Sequence, residues 1–190
     1  TMYTRNSETI HTDFDSSWAW PYESREVGLR NLYEKSKAAQ WNAREDVDWS
    51  IDVDPEAENV LDQVIPWYGT KYWNKMSEAE IRRVRHCGQA WSLSQFMHGE
   101  QGALMVASQL VSAIPNMDAK FYAAQQAVDE ARHVEVYQIY LHDKMEKEYP
   151  CNPELKTLLD QIMSSSAWDI KYLGMQILVE GSALAAFGLQ

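Results

Sequence analysis

Three glutamates of this chain, Glu100, Glu130 and Glu180, each lie in the middle of an apolar helical stripe. The neighbours of Glu100 at helical spacing include Leu93 and Leu104, and the other two glutamates have neighbours of the same kind. Such a stripe normally faces a core. An ionised carboxylate in a core is costly unless it is paired or binds a metal, and one cluster of cations could satisfy all three. The pattern predicts a metal site inside a bundle of helices.

Length, charge and cysteine content limit the class of protein. A chain of 190 residues with 45% apolar composition suits a single globular domain with a sizeable core. The net charge of −11, without basic clusters, argues against nucleic-acid and membrane partners. Cys87 and Cys151 are far apart, which argues against a disulfide framework or a cysteine zinc site. The sequence shows no signal-peptide pattern and no bilayer-spanning run, so a cytoplasmic location is expected.

The chain divides into an N-terminal arm and a helical bundle. Residues 1–75 contain one predicted helix, from about residue 23 to 40, and are expected to pack across the bundle as an arm. The arm is rich in tryptophans, interpreted as packing residues: Trp18, Trp20, Trp41, Trp49, Trp67 and Trp73. Residues 76–190 are expected to hold the first three ligand helices of the bundle.

Local signals mark the helix ends in this second part. A capping box at Ser77 and Glu80 opens a helix that is expected to run to about residue 113, where Pro115 stops it. The second helix is predicted from about residue 118 to 147. Asn152 and Pro153 have the form of a cap and a first helical residue. Serines 164–166 are expected to break that helix and cap the next, which continues through Glu180 to residue 190.

The spacing around Pro115 gives an independent argument for a shared site. Glu100 lies 15 residues before this proline and Glu130 lies 15 residues after it. If the chain folds back there as an antiparallel hairpin, the two carboxylates reach the same height. His133, three positions after Glu130, projects from the same face and can bind an adjacent position of one metal site. Glu180 is expected to join from the third long helix.

These segments resemble the ligand helices of a known superfamily. Residues 99–103 (GEQGA), 129–133 (DEARH) and 178–181 (LVEG) are similar to those of ferritin-like carboxylate-bridged diiron proteins. Within that superfamily the DEARH form most resembles the hydroxylase subunit of bacterial multicomponent monooxygenases. The resemblance implies an all-α, ferritin-like helical bundle whose metal ligands include Glu100, Glu130, His133 and Glu180. It covers residues from about 80 to 190.

The resemblance also suggests roles for three neighbouring residues. Asp129 and Arg132 are expected to orient the ligand imidazoles and to tune their basicity, and the alternative is a surface ion pair. Tyr137 lies one turn after His133, close to where the ribonucleotide reductase small subunit carries its radical tyrosine. The alternative for Tyr137 is core packing.

An oxygen-rich ligand set suits iron or manganese. The resemblance implies two iron ions, with a manganese–iron pair as an alternative, that activate dioxygen and oxidise a substrate. An apolar substrate is expected because the helix faces beside the ligands present Phe96, Met97, Ala103, Ala107, Ala127, Leu184 and Phe187. The sequence has no nucleotide-binding fingerprint and no cysteine cluster, so a separate reductase is expected to deliver electrons.

One part of the family pattern is missing. A second Glu-x-x-His on a fourth helix should follow Glu180, and the sequence through Gln190 does not contain it. We expect that helix from the rest of a longer chain, or from another polypeptide in an oligomer; a degenerate site is the third possibility. Three functions stay open: a diiron oxygenase, a radical-generating subunit that uses Tyr137, and a non-catalytic iron-binding or structural bundle.

Overall fold

The computed structural model describes residues 7–54 and 61–188, and residues 1–6, 55–60 and 189–190 of the predicted arm and last helix lie outside this range. The described chain is helical and contains no strand, which confirms the prediction of an all-α, ferritin-like bundle. The α-helices are α1 (Val27–Ala38), α2 (Glu78–Ala113), α3 (Met117–Ile139), α4 (Pro153–Ser164), α5 (Trp168–Tyr172) and α6 (Glu180–Phe187). Among these described helices, none combines the length and the apolarity needed to cross a lipid bilayer.

α2 and α3 form the antiparallel hairpin that the spacing predicts. Ser77 caps α2 by accepting a hydrogen bond from the backbone N–H of Glu80, whose carboxylate accepts one from the N–H of Ser77. α2 ends just before Pro115, and the Asn116 side chain caps the N-terminus of α3. Contacts across the hairpin run in opposite order along the two helices: Lys120 with Val111, His133 with Glu100, and Tyr137 with Phe96.

α4 packs closely against two glycines of the bundle. A Cβ atom on Gly102 of α2 would lie 2.7 Å from a methyl carbon of Leu159, and a Cβ on Gly174 would lie 2.8 Å from a side-chain carbon of Ile162. Both distances are shorter than van der Waals contact, so a larger residue at either position would force the Leu159 or Ile162 side chain to shift. The apolar core around Leu159 and Ile162 therefore depends on a close approach of α4 to the rest of the bundle.

Two π-helical segments interrupt the long helices predicted from the sequence. The first, Tyr140–Lys144, extends α3, and the second, Leu173–Val179, joins α5 to α6 and ends immediately before Glu180. Gly174 lies in the second segment. Because glycine has a weak preference for the α-helix, the backbone can adopt the wider π-helical turn there. The segment leading to Glu180 is therefore not the continuous α-helix that the periodicity predicts.

α1 begins later than predicted because residues before it bind another helix. The Asp118 carboxylate of α3 accepts hydrogen bonds from the backbone N–H groups of Arg25 and Glu26, at 2.9 and 3.0 Å. The same carboxylate pairs with the Arg30 guanidinium at 2.8 Å. Asp118 thus supplies the cap at the N-terminus of α1 from α3, and α1 lies against α3.

The tryptophans of the arm do not all pack, and the interpretation of them as packing residues is wrong for Trp18, Trp20 and Trp67, the last of which is 55% exposed. Trp73 is buried, but Trp18 and Trp20 are 72% and 76% exposed. Ala19, between them, is buried. Since successive residues of an extended segment point to opposite sides, Ala19 takes the inner position and both indoles face outward, with their rings 5.7 Å apart.

Candidate metal centre

Glu100 of α2 meets Glu130 and His133 of α3 between the two long helices. The Nδ1 atom of His133 lies 3.0 Å from Oε2 of Glu130 and 3.3 Å from Oε2 of Glu100. One ligand atom from each of the three residues lies within 4.8 Å of the other two. The side chains of Glu130 and Glu100 are 7% and 16% exposed, whereas that of His133 is 42% exposed. The structure thus brings together three of the four predicted ligands, and the cluster is open to solvent at His133.

His133 is the cation of this cluster when no metal is bound. Hydrogen bonds to Glu100 and Glu130 raise the pKa of His133 to about 10. Burial raises the pKa of Glu100. Burial also acts to raise the pKa of Glu130, but hydrogen bonds from His133, Glu100 and Gln126 outweigh it, and the pKa is lowered. The imidazolium proton therefore lies between two carboxylates, in a position that favours positive charge.

Glu180 begins α6 and approaches the same cluster. Burial, and then the negative charges of Glu130 and Glu100, raise the pKa of Glu180 to about 7. Its carboxylate is not one of the atoms that lie within 4.8 Å of one another. Glu180 is therefore near the other two carboxylates but stands apart from the closest group. The cluster holds more negative charge than His133 neutralises.

This donor set fits divalent iron. The close group consists of carboxylate oxygens and an imidazole nitrogen, ligands that iron and manganese accept readily. Two divalent cations would neutralise three carboxylates and would remove the repulsion that raises the pKa of Glu180. The excess of negative charge in a mostly buried place is the feature that bound cations would satisfy.

Comparison with known families agrees with this chemistry. Residues 22–167 match the model of the family described as P-aminobenzoate N-oxygenase AurF. The chain belongs to this family. The AurF family is a family of ferritin-like diiron oxygenases, so the predicted diiron superfamily is confirmed. The match includes α1 to α4 with Glu100, Glu130 and His133, and it ends before Glu180. No curated protein and no solved structure matches the chain.

Tyr137 of this AurF-family chain takes part in packing and also lies near the cluster. Its ring stacks on Phe96, with centroids 6.2 Å apart, in the apolar cluster around Leu141. Burial and the charge of Glu100 raise the pKa of Tyr137 to about 12. Both interpretations of Tyr137 thus have a physical basis, since it packs in the core and its phenol is close enough to respond to Glu100.

Asp129 and Arg132 contact the arm. Asp129 accepts hydrogen bonds from the Ser36 hydroxyl at 2.9 Å and from the Gln40 amide at 3.0 Å. Arg132 donates to Gln40 at 2.7 Å and also to Asp129. Among the described residues, these side chains find their partners in each other and in the arm, not in the imidazole of His133. They lie beside the ligands but face α1.

Two residues of the site have no counterpart in the sequence-based prediction. Gln126, one turn before Glu130, donates from its amide to Oε1 of Glu130 at 3.1 Å. Its spacing of four residues on one helix is a signal that could have found it. Gln40 lies 89 residues from Asp129 in the chain, so no local spacing predicts their contact.

The side chains predicted to line an apolar pocket do not share one environment. Met97, Ala103 and Ala107 are buried, whereas Leu184 is 71% exposed. The side chain of Phe187 lies outside the described residues. Leu184 belongs to an exposed apolar strip, defined by Ile170, Leu173, Ile177, Leu178 and Leu184.

Proposed function

We propose that this chain supplies ligand helices of a non-haem diiron centre that activates dioxygen and transfers oxygen to an organic substrate. Glu100, Glu130, His133 and Glu180 are the proposed ligands. The observation that carries the proposal is the close group of Glu100, Glu130 and His133, which is mostly buried and rich in negative charge. Membership in the AurF family of diiron oxygenases supports it.

The contacts of Glu130 and His133 indicate what each would do in the metal centre. Glu130 would hold the metal from the most buried position of the group, beside His133, with Gln126 orienting one of its oxygens. His133 gives up its proton to bind metal, and that proton leaves the site. Two ferrous ions bound here would supply the reducing electrons and the Lewis acidity for dioxygen chemistry. Tyr137, with a pKa raised to about 12 by burial and by the charge of Glu100, keeps its proton at neutral pH.

An aromatic amine is the substrate class that the family name favours, and oxidation of its nitrogen is the proposed reaction. Hydroxylation of an apolar hydrocarbon, as in the multicomponent monooxygenase hydroxylases, is the second candidate. In either reaction one oxygen atom enters the substrate and the other leaves as water, which consumes two further electrons and two protons. A separate electron-donor protein is proposed to supply those electrons.

A further helix is proposed to complete the ligand set. His133 is 42% exposed at the cluster. The exposed apolar strip runs along the segment that leads to and follows Glu180. A helix with a Glu-x-x-His pair, from the same polypeptide or from another one, would cover the strip and add the second imidazole.

A radical-generating or redox subunit is the alternative that one observation favours. Tyr137 is half-buried, stacks on an aromatic ring and lies where the charge of Glu100 acts on it. Such a phenol is suited to one-electron oxidation beside a metal centre. The product would then be a stored radical and not an oxidised substrate. A non-catalytic iron-binding bundle is the remaining alternative, and it predicts bound iron without product.

The experiment is a single turnover with labelled oxygen. The protein, with any polypeptide that supplies the further ligand helix, is loaded with ferrous ion without oxygen, then mixed with ¹⁸O₂, p-aminobenzoate and a chemical reductant. Mass spectrometry should find ¹⁸O in the oxidised product and none with Glu130→Ala. Product that forms anaerobically or in the Glu130→Ala variant would contradict the proposal.

A further inference from the structure

The outer face of α3 carries a polar network directly beside the proposed ligands. Asp129 and Arg132 immediately precede Glu130 and His133 in the chain, but their side chains reach the arm. The Arg132 side chain is 11% exposed and that of Asp129 is 27% exposed, so both are largely enclosed. A change in the contacts between the arm and this pair would therefore also affect the backbone that carries Glu130 and His133.

Gln40, just beyond the end of α1, joins the two members of the pair. Its amide nitrogen donates to Oδ1 of Asp129 at 3.0 Å and to the backbone carbonyl of Ser36 at 2.9 Å. Its amide oxygen accepts from Nη1 of Arg132 at 2.7 Å. Every one of these contacts would fail if the amide were reversed, because a donor would then face Arg132 and an acceptor would face Asp129. The position thus requires a side chain with a donor and an acceptor at this length.

The neighbouring residue completes the enclosure of Arg132. The guanidinium lies over the ring of Trp41, 4.8 Å from the centroid, and Nη1 also donates to the Trp41 carbonyl at 3.3 Å. Residues 40 and 41 together therefore hold the guanidinium that pairs with Asp129 on α3. This contact joins the arm to α3 within one helical turn of Glu130 and His133.

We propose that Gln40 is a positioning residue of the metal centre. By holding Asp129 and Arg132 together, it fixes the rotation of α3 at residues 129–133 and so the direction in which Glu130 and His133 face Glu100. This inference rests on the proposed function, because it assigns Gln40 a role in the geometry of that centre. Gln40 is itself exposed, so water competes for its hydrogen bonds and the expected effect is moderate.

The test compares two substitutions in the arm. Gln40→Met keeps the length of the side chain but removes both hydrogen-bonding groups. Tyr33→Leu is the matched control, because Tyr33 stacks on Phe121 of α3 with ring centroids 5.2 Å apart and so holds α1 farther from the ligands. The probe is Co²⁺, added to the full chain and followed by its visible absorption spectrum. Thermal unfolding of both variants shows how far each one loosens the arm.

Gln40→Met should weaken Co²⁺ binding about tenfold, at the lower end of the range for residues that orient metal ligands, and should change the spectrum. Tyr33→Leu should lower the unfolding temperature and leave the spectrum as in the wild type. An unchanged affinity and spectrum in Gln40→Met, or the same change in both variants, would overturn the proposal.

A second measurement separates this inference from the proposed function. If the wild-type protein binds no Co²⁺ even with the polypeptide that supplies the further ligand helix, the metal centre fails, and the positioning role is then read from hydrogen exchange of the metal-free protein. Gln40→Met should speed exchange of the backbone amides at residues 129–133 more than Tyr33→Leu does. Equal exchange in the two variants would show that Gln40 does not position this segment.

Discussion

Acidic side chains lie on two faces of α3, and their surroundings differ in the sign of charge they provide. On the face toward α1, hydrogen bonds from the N–H groups of Glu26 and Arg25, together with Arg30, lower the pKa of Asp118 to about 2. The pKa of Asp129 is also lowered there, because hydrogen bonds from Gln40, Ser36 and Arg132 outweigh burial. These acids have complete sets of partners and serve the packing of the arm.

The cluster on the face toward α2 differs: the pKa of Glu130 of α3 is lowered by its hydrogen bonds, but the pKa values of the neighbouring carboxylates from α2 and α6 are raised. Burial raises the pKa of Glu100, and burial with the charges of neighbouring carboxylates raises that of Glu180 to about 7. The cation in this cluster is His133, whose own pKa rises to about 10 because it serves two carboxylates. Acidic residues of α3 thus form a finished structural contact on one side of the helix and, together with carboxylates of α2 and α6, a site that lacks positive charge on the other. That difference is the physical basis for assigning the metal to the α2 side.

Among the substitutions that test this difference between the two faces, Glu130→Ala should have the largest effect, which is a loss of metal affinity. It removes the most buried carboxylate of the cluster, so metal affinity should fall by more than the roughly 10- to 100-fold typical of residues that only orient ligands. Metal analysis after dialysis measures the loss. Glu135→Ala is the control, since Glu135 lies on the same helix but pairs with Arg44 of the arm. Equal metal content in the two variants would remove Glu130 from the ligand set.

Glu180→Gln should change how stability depends on pH. The pKa of Glu180 is raised from 4.5 to about 7, so the stability that its proton gives the metal-free protein is fully present below about pH 4.5 and is lost as pH rises through 7. The variant should therefore gain stability relative to the wild type over that range. Urea unfolding at several pH values measures the difference, and Glu154→Gln, an exposed change on α4, is the control. A difference that does not depend on pH would show that neither burial nor the neighbouring carboxylates raise the pKa of Glu180.

Saturating Mn²⁺ should reverse the pH dependence of the stability of the wild-type protein, so that stability rises with pH. Glu180 and His133 must lose their protons to bind metal, so metal affinity should rise with pH and binding at pH 7 should release protons. Calorimetry in two buffers of different ionisation enthalpy counts the released protons. Binding without proton release would place the metal elsewhere.

Asp118→Asn should act on the other face and spare the metal. The change keeps one acceptor oxygen but loses the charge that pairs with Arg30, so the N-terminus of α1 should exchange its amide hydrogens faster. The loss of stability should be smaller near pH 2, because the stability contributed by Asp118 is present above about pH 3.8 and is lost as pH falls through 2. Metal content should stay at the wild-type level. A loss of metal as complete as in Glu130→Ala would show that the acids facing α1 also contribute to metal binding.

Tyr137→Phe should have the smallest effect on folding and metal content. Its effect should be confined to the reaction of the ferrous protein with dioxygen. The ring still stacks on Phe96, so folding and metal content should be unchanged. If the phenol takes part in the reaction, the spectra that follow the addition of dioxygen to the ferrous protein should change in form or in decay rate. Tyr140→Phe, a change in the same apolar cluster, is the comparison. Identical spectra in the wild type and in Tyr137→Phe would leave Tyr137 as a packing residue.

The sequence predicts the parts of this molecule that depend on local signals. The Ser77 and Glu80 capping box, the stop at Pro115 and the cap at Asn152 each act within one turn of the chain, and each is present. The meeting of Glu100 with Glu130 follows from their equal distances to Pro115, and His133 lies one helical turn after Glu130. The bounds of the two helices are therefore sufficient to predict that these side chains meet.

The remaining features arise from contacts between distant residues or from backbone detail. The contact of Gln40 with Asp129 joins residues 89 positions apart, and no periodicity reports it. The π-helical segment before Glu180 has the same apolar composition as an α-helix, so the hydrophobic pattern does not distinguish the two. The outward direction of Trp18 and Trp20 follows from the extended arm and the burial of Ala19, not from their hydrophobicity.

The assignment of this metal centre depends on the binding of metal by Glu100, Glu130 and His133 together with Glu180. Anomalous diffraction at the iron absorption edge, from crystals of the protein grown or soaked anaerobically with ferrous ion, tests it most directly. We expect two anomalous peaks between α2, α3 and the start of α6, with these four side chains as neighbours and no peak in Glu130→Ala crystals. Iron bound only at Cys87 or Cys151, or no peak beside Glu130 in the assembly that contains all its ligand helices, would contradict it.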